Sequence, residues 1–505
     1  MGTPVFLPFA GKLLPLRQIT TIMNLPTDFL FRTRRLMGEE ACAALCEALR
    51  QVPPVSVRMN TLKCADLPQG GRPVAWSRDG YYLPVRPSFT FDPLFHAGCY
   101  YVQEAASMFL EQALRRYVTA PVAMLDLCAA PGGKSTLARS VLPAGSLLVA
   151  NEVMRNRAQV LAENLVKWGD GSIIVTNNDP ADFAPFGEVF DVMLTDVPCS
   201  GEGMFRKDET AVAEWSVDNV EICWQRQRRI LRDSWPCLKP GGLLIYSTCT
   251  FNREENEDNV AWIARELGAE VLPLQVPDGW RITGNLTGAD FPVYRFLPSL
   301  TEGEGLFLAV LRKEGLSTGG KSYEQVSARL LKKNLRKAVK GGKPAAGTVP
   351  DTLKTWLVGA DEDVFSVTDG LVTAFPAVWH SLYLYLKEQL KVIHAGVTVA
   401  EQKGRDWQPH HALAMSTART DDSFQQVELS YEQAVAYLRK EAVTLAGDTP
   451  RGYVLLTYGG HPLGFAKNVG NRANNLYPNE WRIRSGYLPG PEETALVCGW
   501  LGAGH

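Results

Sequence analysis

The chain has 505 residues and a formal net charge of −2, which allows three or four domains and excludes a polycation, so any nucleic-acid surface has to be a local patch. No apolar run approaches the roughly 20 residues that span a bilayer. The 10 cysteines include no Cys-x-x-Cys pair and the seven histidines show no ligand spacing, so no metal site is expected and the thiols suit a reducing, cytoplasmic compartment.

Residues 1–22 include Val5-Phe6-Leu7-Pro8-Phe9-Ala10, broken by Pro8 and Pro15, and read as an uninformative extension ahead of Met23. Residues 23–105 predict a small α+β domain. The apolar positions Leu36, Met37, Ala41, Leu45 and Leu49 predict one amphipathic helix over 36–50, ended by Pro53-Pro54. Val55 to Asn60 alternates like a strand, and 76–83 and 89–91 predict further short strands. Arg58, Asn60 and Lys63 are either RNA contacts or part of a solvated strand face.

From residue 106 to 313 the chain alternates strands and helices. Strands are predicted over 124–128, 146–151, 172–176, 191–195, 243–247 and 306–311, and helices over 135–141, 155–168, 217–238 and 254–267. That order implies a mostly parallel sheet covered on both faces, with ligands bound beyond the carboxyl ends of its strands. The first strand runs into Leu125-Asp126-Leu127-Cys128-Ala129-Ala130-Pro131-Gly132-Gly133-Lys134-Ser135. Gly132 and Gly133 would let a ligand approach the backbone, and the helix that follows offers free N–H groups. A triphosphate-binding P-loop would need glycine where Cys128 stands, and the dinucleotide fingerprint is absent. S-adenosylmethionine is then the leading cofactor. Glu152, 26 residues after Asp126, is placed to accept from ribose hydroxyls, and Asp179, after the third strand, to read the adenine edge.

Two sulfur-bearing stretches follow. Asp196-Val197-Pro198-Cys199-Ser200-Gly201-Glu202-Gly203 ends the fourth strand and Ser247-Thr248-Cys249-Thr250 the fifth. C5 of cytosine is a poor nucleophile. A thiolate added to C6 makes C5 enamine-like and able to take a methyl group. A carboxyl near N3, a role that suits Asp196, would stabilise the adduct, and a second thiol would help the proton and the enzyme leave. Lys134 would orient Asp196 or stabilise charge.

These three stretches, with Ser56-Val57-Arg58-Met59-Asn60-Thr61-Leu62-Lys63 and Tyr101-Val102-Gln103-Glu104-Ala105-Ala106-Ser107, resemble the NSUN/Sun-type RNA cytosine-5 methyltransferases. Length and the C-terminal extension look closest to the bacterial subfamily that methylates 16S ribosomal RNA, the small-subunit methyltransferase F type. The resemblance implies a Rossmann-like S-adenosylmethionine-dependent core, with Cys249 as nucleophile and Cys199 promoting release. It implies that Cys128, Ala129, Ala130, Pro131, Gly132, Gly133 and Lys134, with Glu152, Asp179 and Asp196, line the cofactor site. Val197 departs from the family's alanine, a conservative apolar change.

On the helix after the fourth strand, Arg228 and Arg232 share a face at i, i+4 and suggest a phosphate contact. Residues 314–349 read as a basic linker: 321–343 hold eight Lys or Arg and one acid, a local +7. Residues 350–424 predict a small intermediate domain whose aromatic residues are core. Residues 425–505 resemble a PUA-like RNA-binding domain, with Lys467, Arg472 and Arg482 as candidate contacts. The expected substrate is structured RNA, first 16S ribosomal RNA or the 30S subunit. Transfer RNA is the rival, and a catalytically silent ribosome-assembly factor the alternative from another class. A monomer is expected.

Overall fold

The computed structural model describes residues 24–317, 349–470, 472–494 and 496. The predicted extension and the +7 segment fall outside the described residues. Two helices open the described residues, α1 (Thr27–Met37) and α2 (Glu39–Leu49). Sequence periodicity suggested one helix here; Gly38, at φ +87, breaks it because that backbone region disfavours any side chain. Four short strands follow: β1 (Val55–Met59), β2 (Arg72–Pro73), β3 (Gly80–Leu83) and β4 (Tyr100–Val102). They form one sheet in the order β2-β3-β1-β4. Phe89–Phe91, expected as a strand, is a 3-10 turn that buries both phenylalanines.

Helix α3 (Leu110–Tyr117) leads into the large sheet. Its parallel centre comprises β5 (Ala123–Asp126), β6 (Leu147–Asn151), β7 (Ile173–Thr176), β8 (Phe190–Asp196) and β9 (Leu238–Thr248). The connecting helices are α4 (Gly133–Val141), α5 (Arg155–Trp168), α6 (Val217–Ser234) and α7 (Glu257–Glu266). The strands are buried on both faces, which is why they read as near-continuous apolar runs. Antiparallel strands β10 (Ala269–Leu272), β11 (Tyr294–Phe296) and β12 (Leu306–Lys313) extend the β9 edge.

The C-terminal half supplies β13 (Asp363–Thr368), β14 (Leu371–Pro376), β15 (Val392–Ala395), β16 (Val397–Lys403) and β17 (Asp406–Pro409), with α8 (Ala377–Lys387) between β14 and β15. Strand β15 leaves the rest of that segment and pairs antiparallel with β7. The large sheet therefore runs β10-β12-β9-β8-β5-β6-β7-β15, and 350–424 is not detached from it. Last come β18 (Gln425–Glu428), α9 (Tyr431–Leu438), β19 (Gly452–Tyr458), β20 (His461–Asn468) and β21 (Ala473–Asn475), a four-stranded sheet in chain order. One apolar core joins this last module to the N-terminal sheet, with Val57, Met59 and Phe91 against Leu429, Val435 and Leu456. No described helix is long and apolar enough to cross a membrane.

Candidate functional site

In the parallel sheet the neighbours of β5 are β6 on one side and β8 on the other, so chain direction of travel reverses there and leaves a crevice beyond the strand ends. Asp126, Asp196 and Thr248 are the last residues of β5, β8 and β9. The sequence-predicted residues gather around them.

Gly132 caps α4 in the left-handed region at φ +116. The space its missing side chain leaves is taken by protein: a Cβ there would meet Leu161 Cδ1 at 3.3 Å, and one at Gly133 would meet Tyr101 Cε1 at 3.3 Å. These two glycines allow the turn to pack closely against α5 and Tyr101. The turn is cross-braced from α5, whose Arg157 donates to Ala130 O at 2.8 Å and whose Asn164 donates to Pro131 O at 2.8 Å. Ala129 N–H donates to Asn151 O at 2.8 Å, and Cys128 is half-buried, its thiol pushed up by burial.

Asp126 is fully buried. Its Oδ2 accepts from Ser135 Oγ at 2.6 Å, whereas Oδ1 has no partner. Burial pushes the carboxyl up to about 7. Glu152, one residue past β6, accepts from Met154 N–H at 2.9 Å and pairs with Arg157 at 3.3 Å. Asp179, beyond β7, caps the next turn by accepting from Ala181 N–H at 3.0 Å. Three acids thus stand at the ends of three neighbouring strands. Asp126 Oδ1, a buried acceptor left unpaired, and the partly paired Glu152 carboxylate suit the ammonium and ribose hydroxyls of S-adenosylmethionine.

On the β8–β9 side Lys134 Nζ lies 2.8 Å from Asp196 Oδ2, and Ser247 Oγ donates to Asp196 Oδ1 at 2.8 Å. Burial alone would lower the Lys134 ammonium; the Asp196 carboxylate outweighs it and holds the group above its ordinary value. Cys199 Sγ and Cys249 Sγ are 3.2 Å apart. The hydrogen bond to Cys249, reinforced by burial, pushes the Cys199 thiol far up.

Two buried acids missed by sequence reasoning fix the cysteine loops. Glu202 accepts from Phe251 N–H at 2.7 Å, Asn252 N–H at 2.9 Å and Trp215 Nε1 at 3.0 Å. Glu255 accepts from Ser200 N–H at 3.0 Å, Gln227 at 2.7 Å and Asn252 Nδ2 at 2.8 Å. Burial raises Glu255 to about 7. Glu202 stood in a quoted motif, but Glu255 sits in Arg253-Glu254-Glu255-Asn256-Glu257, which reads as a solvated helix start.

Several candidate RNA contacts are employed elsewhere. Arg58 is buried, donates to Gln103 Oε1 at 2.7 Å and Thr136 Oγ1 at 2.6 Å, and lies over Trp168. Asn60 donates to Gly98 O and Trp168 O at 2.9 Å, and Lys63 to Ala97 O at 2.9 Å and Lys167 O at 2.6 Å. These residues weld the N-terminal sheet to the catalytic domain. Arg228 donates to Asn259 Oδ1 at 2.8 Å and stacks between Trp224 and Trp262, so it does not join Arg232 in a free basic pair. In the last module Lys467 lies over Tyr453 and 3.6 Å from Asp406, while Arg472 and Arg482 are exposed.

Comparison with known proteins follows the same segments. Residues 119–312 match the family model for 16S rRNA methyltransferase RsmB/F. Residues 25–105 match the N-terminal domain of 16S rRNA methyltransferase RsmF, and 424–483 the methyltransferase RsmF PUA domain. The chain is 33% identical to the ribosomal RNA small subunit methyltransferase F of Klebsiella pneumoniae (strain 342), over 92% of this chain and 97% of that one. It is 31% identical to the enzyme of the same name from Aliivibrio fischeri (strain MJ11), over 92% and 98%. The crystal structure of NSun6 from Pyrococcus horikoshii superposes with a TM-score of 0.50 at 19% identity, covering 58% of this chain and 99% of that one, and shares the fold. Domain order, identity along nearly the whole length and a crevice that fits the methyl donor agree: the chain is an S-adenosylmethionine-dependent methyltransferase of the RsmB/F family and belongs with the ribosomal RNA small subunit methyltransferases F.

Proposed function

We propose that the protein methylates C5 of a cytosine in 16S ribosomal RNA through a covalent bond between Cys249 and C6. The observation that carries this reading is the thiol pair, Sγ to Sγ 3.2 Å, set beside the Lys134–Asp196–Ser247 hydrogen-bond chain. Burial and the contact with Cys249 hold the Cys199 thiol up, and the family resemblance assigns the attack to Cys249. Its thiolate adds to C6 and the electron pair moves toward C5. The cofactor supplies an electrophilic methyl group, and C5 takes that methyl. A base then removes the C5 proton, the C6–S bond breaks, and the thiolate returns. Cys199, at hydrogen-bond distance, is placed to assist that release.

Asp196 already accepts from Lys134 and Ser247, and its carboxylate would stabilise the protonated N3 edge of the adduct. Cys128 to Lys134, Glu152 and Asp179 form the cofactor side. The base has to be swung out of its stack, because both faces of the C5–C6 bond are needed. The exposed Arg472 and Arg482 of the last module suit phosphate contacts. An intact thiol pair speaks against a silent assembly factor.

The test is methyl transfer from labelled S-adenosylmethionine to naked 16S RNA, 30S subunits and bulk transfer RNA in parallel. Label recovered as 5-methylcytosine from either ribosomal sample supports the reading. Label only in transfer RNA overturns the substrate, and label at another base position overturns the mechanism.

A further inference from the structure

Cys64, Cys99 and His461 meet far from the catalytic thiols. Cys64 closes the turn after β1, where its N–H donates to Asn60 O at 2.9 Å. Cys99 stands just before β4; its N–H donates to Leu94 O at 3.0 Å and its carbonyl accepts from Asn60 N–H at 2.8 Å. His461 opens β20, after the Gly459-Gly460 turn. Both cysteines are buried, at 2% and 0% exposure. The ligating atoms of all three residues lie within 4.8 Å of one another. Counting spacings could not find this group, because its members come from opposite ends of the chain.

A buried cysteine is ordinarily a small inert hydrophobe. That accounts for one of these thiols, but not for a second thiol and an imidazole converging on it. Lys63, next in the chain to Cys64, donates to the carbonyls of Ala97 and Lys167. Two thiolates and a neutral imidazole balance one divalent cation.

We propose that Cys64, Cys99 and His461 bind a zinc ion that clamps the N-terminal sheet to the C-terminal module. Two thiolates and an imidazole are a donor set that zinc prefers over magnesium or calcium. Tetrahedral donors around zinc sit ~3.4–3.8 Å apart, so the triad has at most about 1 Å to close. The ion is structural. It ties the turn after β1 and the start of β4 to β20, at one end of the apolar core those two modules share. The orientation of the C-terminal module toward the catalytic crevice would then depend on the ion.

The test uses the full chain, reduced and purified without chelator or immobilised metal. Elemental analysis is expected to give about one equivalent of zinc. Cobalt(II) added to the metal-stripped protein is expected to produce a thiolate-to-cobalt charge-transfer band and tetrahedral d–d bands. A Cys199→Ser, Cys249→Ala background should keep both, which excludes the catalytic pair as the ligand. His461→Ala, at the half-exposed corner, should fold and weaken cobalt binding at least about tenfold. Cys64→Ser and Cys99→Ser should abolish the charge-transfer band. The proposal is overturned by folded, reduced wild-type protein that carries no zinc and gives no band, by bands unchanged in His461→Ala and Cys64→Ser, or by a Cys64–Cys99 disulfide in the protein as isolated.

Discussion

Cys199 and Cys249 stand on loops at the ends of adjacent parallel strands, and their sulfurs approach to 3.2 Å. Either sulfur can donate to the other, and the Cys199 thiol is held well above its ordinary value by that contact and by burial. Cys249→Ala should cut methyl transfer by at least ~10³-fold while cofactor affinity stays within a few-fold, because the nucleophile is lost and the crevice is not. Cys199→Ser should instead accumulate a protein–RNA adduct that survives denaturing gel electrophoresis. Methyl transfer that persists in the first variant would reverse or abolish the assignment, and free turnover without adduct in the second would remove the release role.

Lys134 contributes through Asp196. Lys134→Met keeps the volume but leaves the Asp196 carboxylate without its ammonium, at 2.8 Å in the wild type. The expected result is a kcat lowered ~10²–10³-fold with a smaller change in KM for RNA. An unchanged kcat would mean that Lys134 only caps its helix.

How much of this was legible depended on whether a residue's partner was local. Strand β8, Phe190–Asp196, was readable because two covered faces demand an apolar centre, here Val192-Met193-Leu194. Helix α5 was readable from one period over Arg155–Trp168, with Gly169 in the left-handed region closing it. Strand β15 was not, since Val392–Ala395 is short and its partner β7 lies far away in sequence. Arg58 was left open and Glu255 passed over for one reason: a charged residue reads as solvated unless its buried partners, here Thr136 and Ser200, are known to meet it. The Cys64–Cys99–His461 group was invisible for the same reason.

Arg58 tests that distinction directly. If it is a weld, Arg58→Ala removes the donor to Gln103 Oε1 and Thr136 Oγ1 and exposes the Trp168 face. Urea unfolding should then show a loss of ~2–4 kcal/mol. The salt dependence of RNA affinity should keep its slope, since no phosphate contact has been removed. A stable variant with a reduced slope would return Arg58 to the RNA surface.

Glu202 holds the two cysteine loops together by accepting from Trp215, Phe251 and Asn252. Glu202→Ala should strand those donors and cost ~2–4 kcal/mol, with activity falling further than stability because the sulfurs lose their register. Glu202→Gln retains acceptance at one oxygen and should recover part of both. Equal losses in the two variants would show that volume, not hydrogen bonding, is what the site requires.

The buried carboxyls make stability depend on pH in a defined direction. Asp126 rises from 3.8 to about 7 and Glu255 from 4.5 to about 7 on folding, in each case chiefly by burial. Each group binds its proton more tightly in the folded chain than in the unfolded one. Stability therefore falls as pH rises from the unfolded value toward about 7, and is flat for these groups above it. The slope within that window is up to ~1.4 kcal/mol per pH unit for each group. Asp126→Asn keeps an acceptor for Ser135 and removes the titration. Measured by urea unfolding between pH 5 and pH 8, the variant should gain stability relative to wild type as pH increases, most of it below about pH 7. A difference that does not vary with pH would mean that Asp126 is ionised throughout, with a counter-charge that compensates its burial.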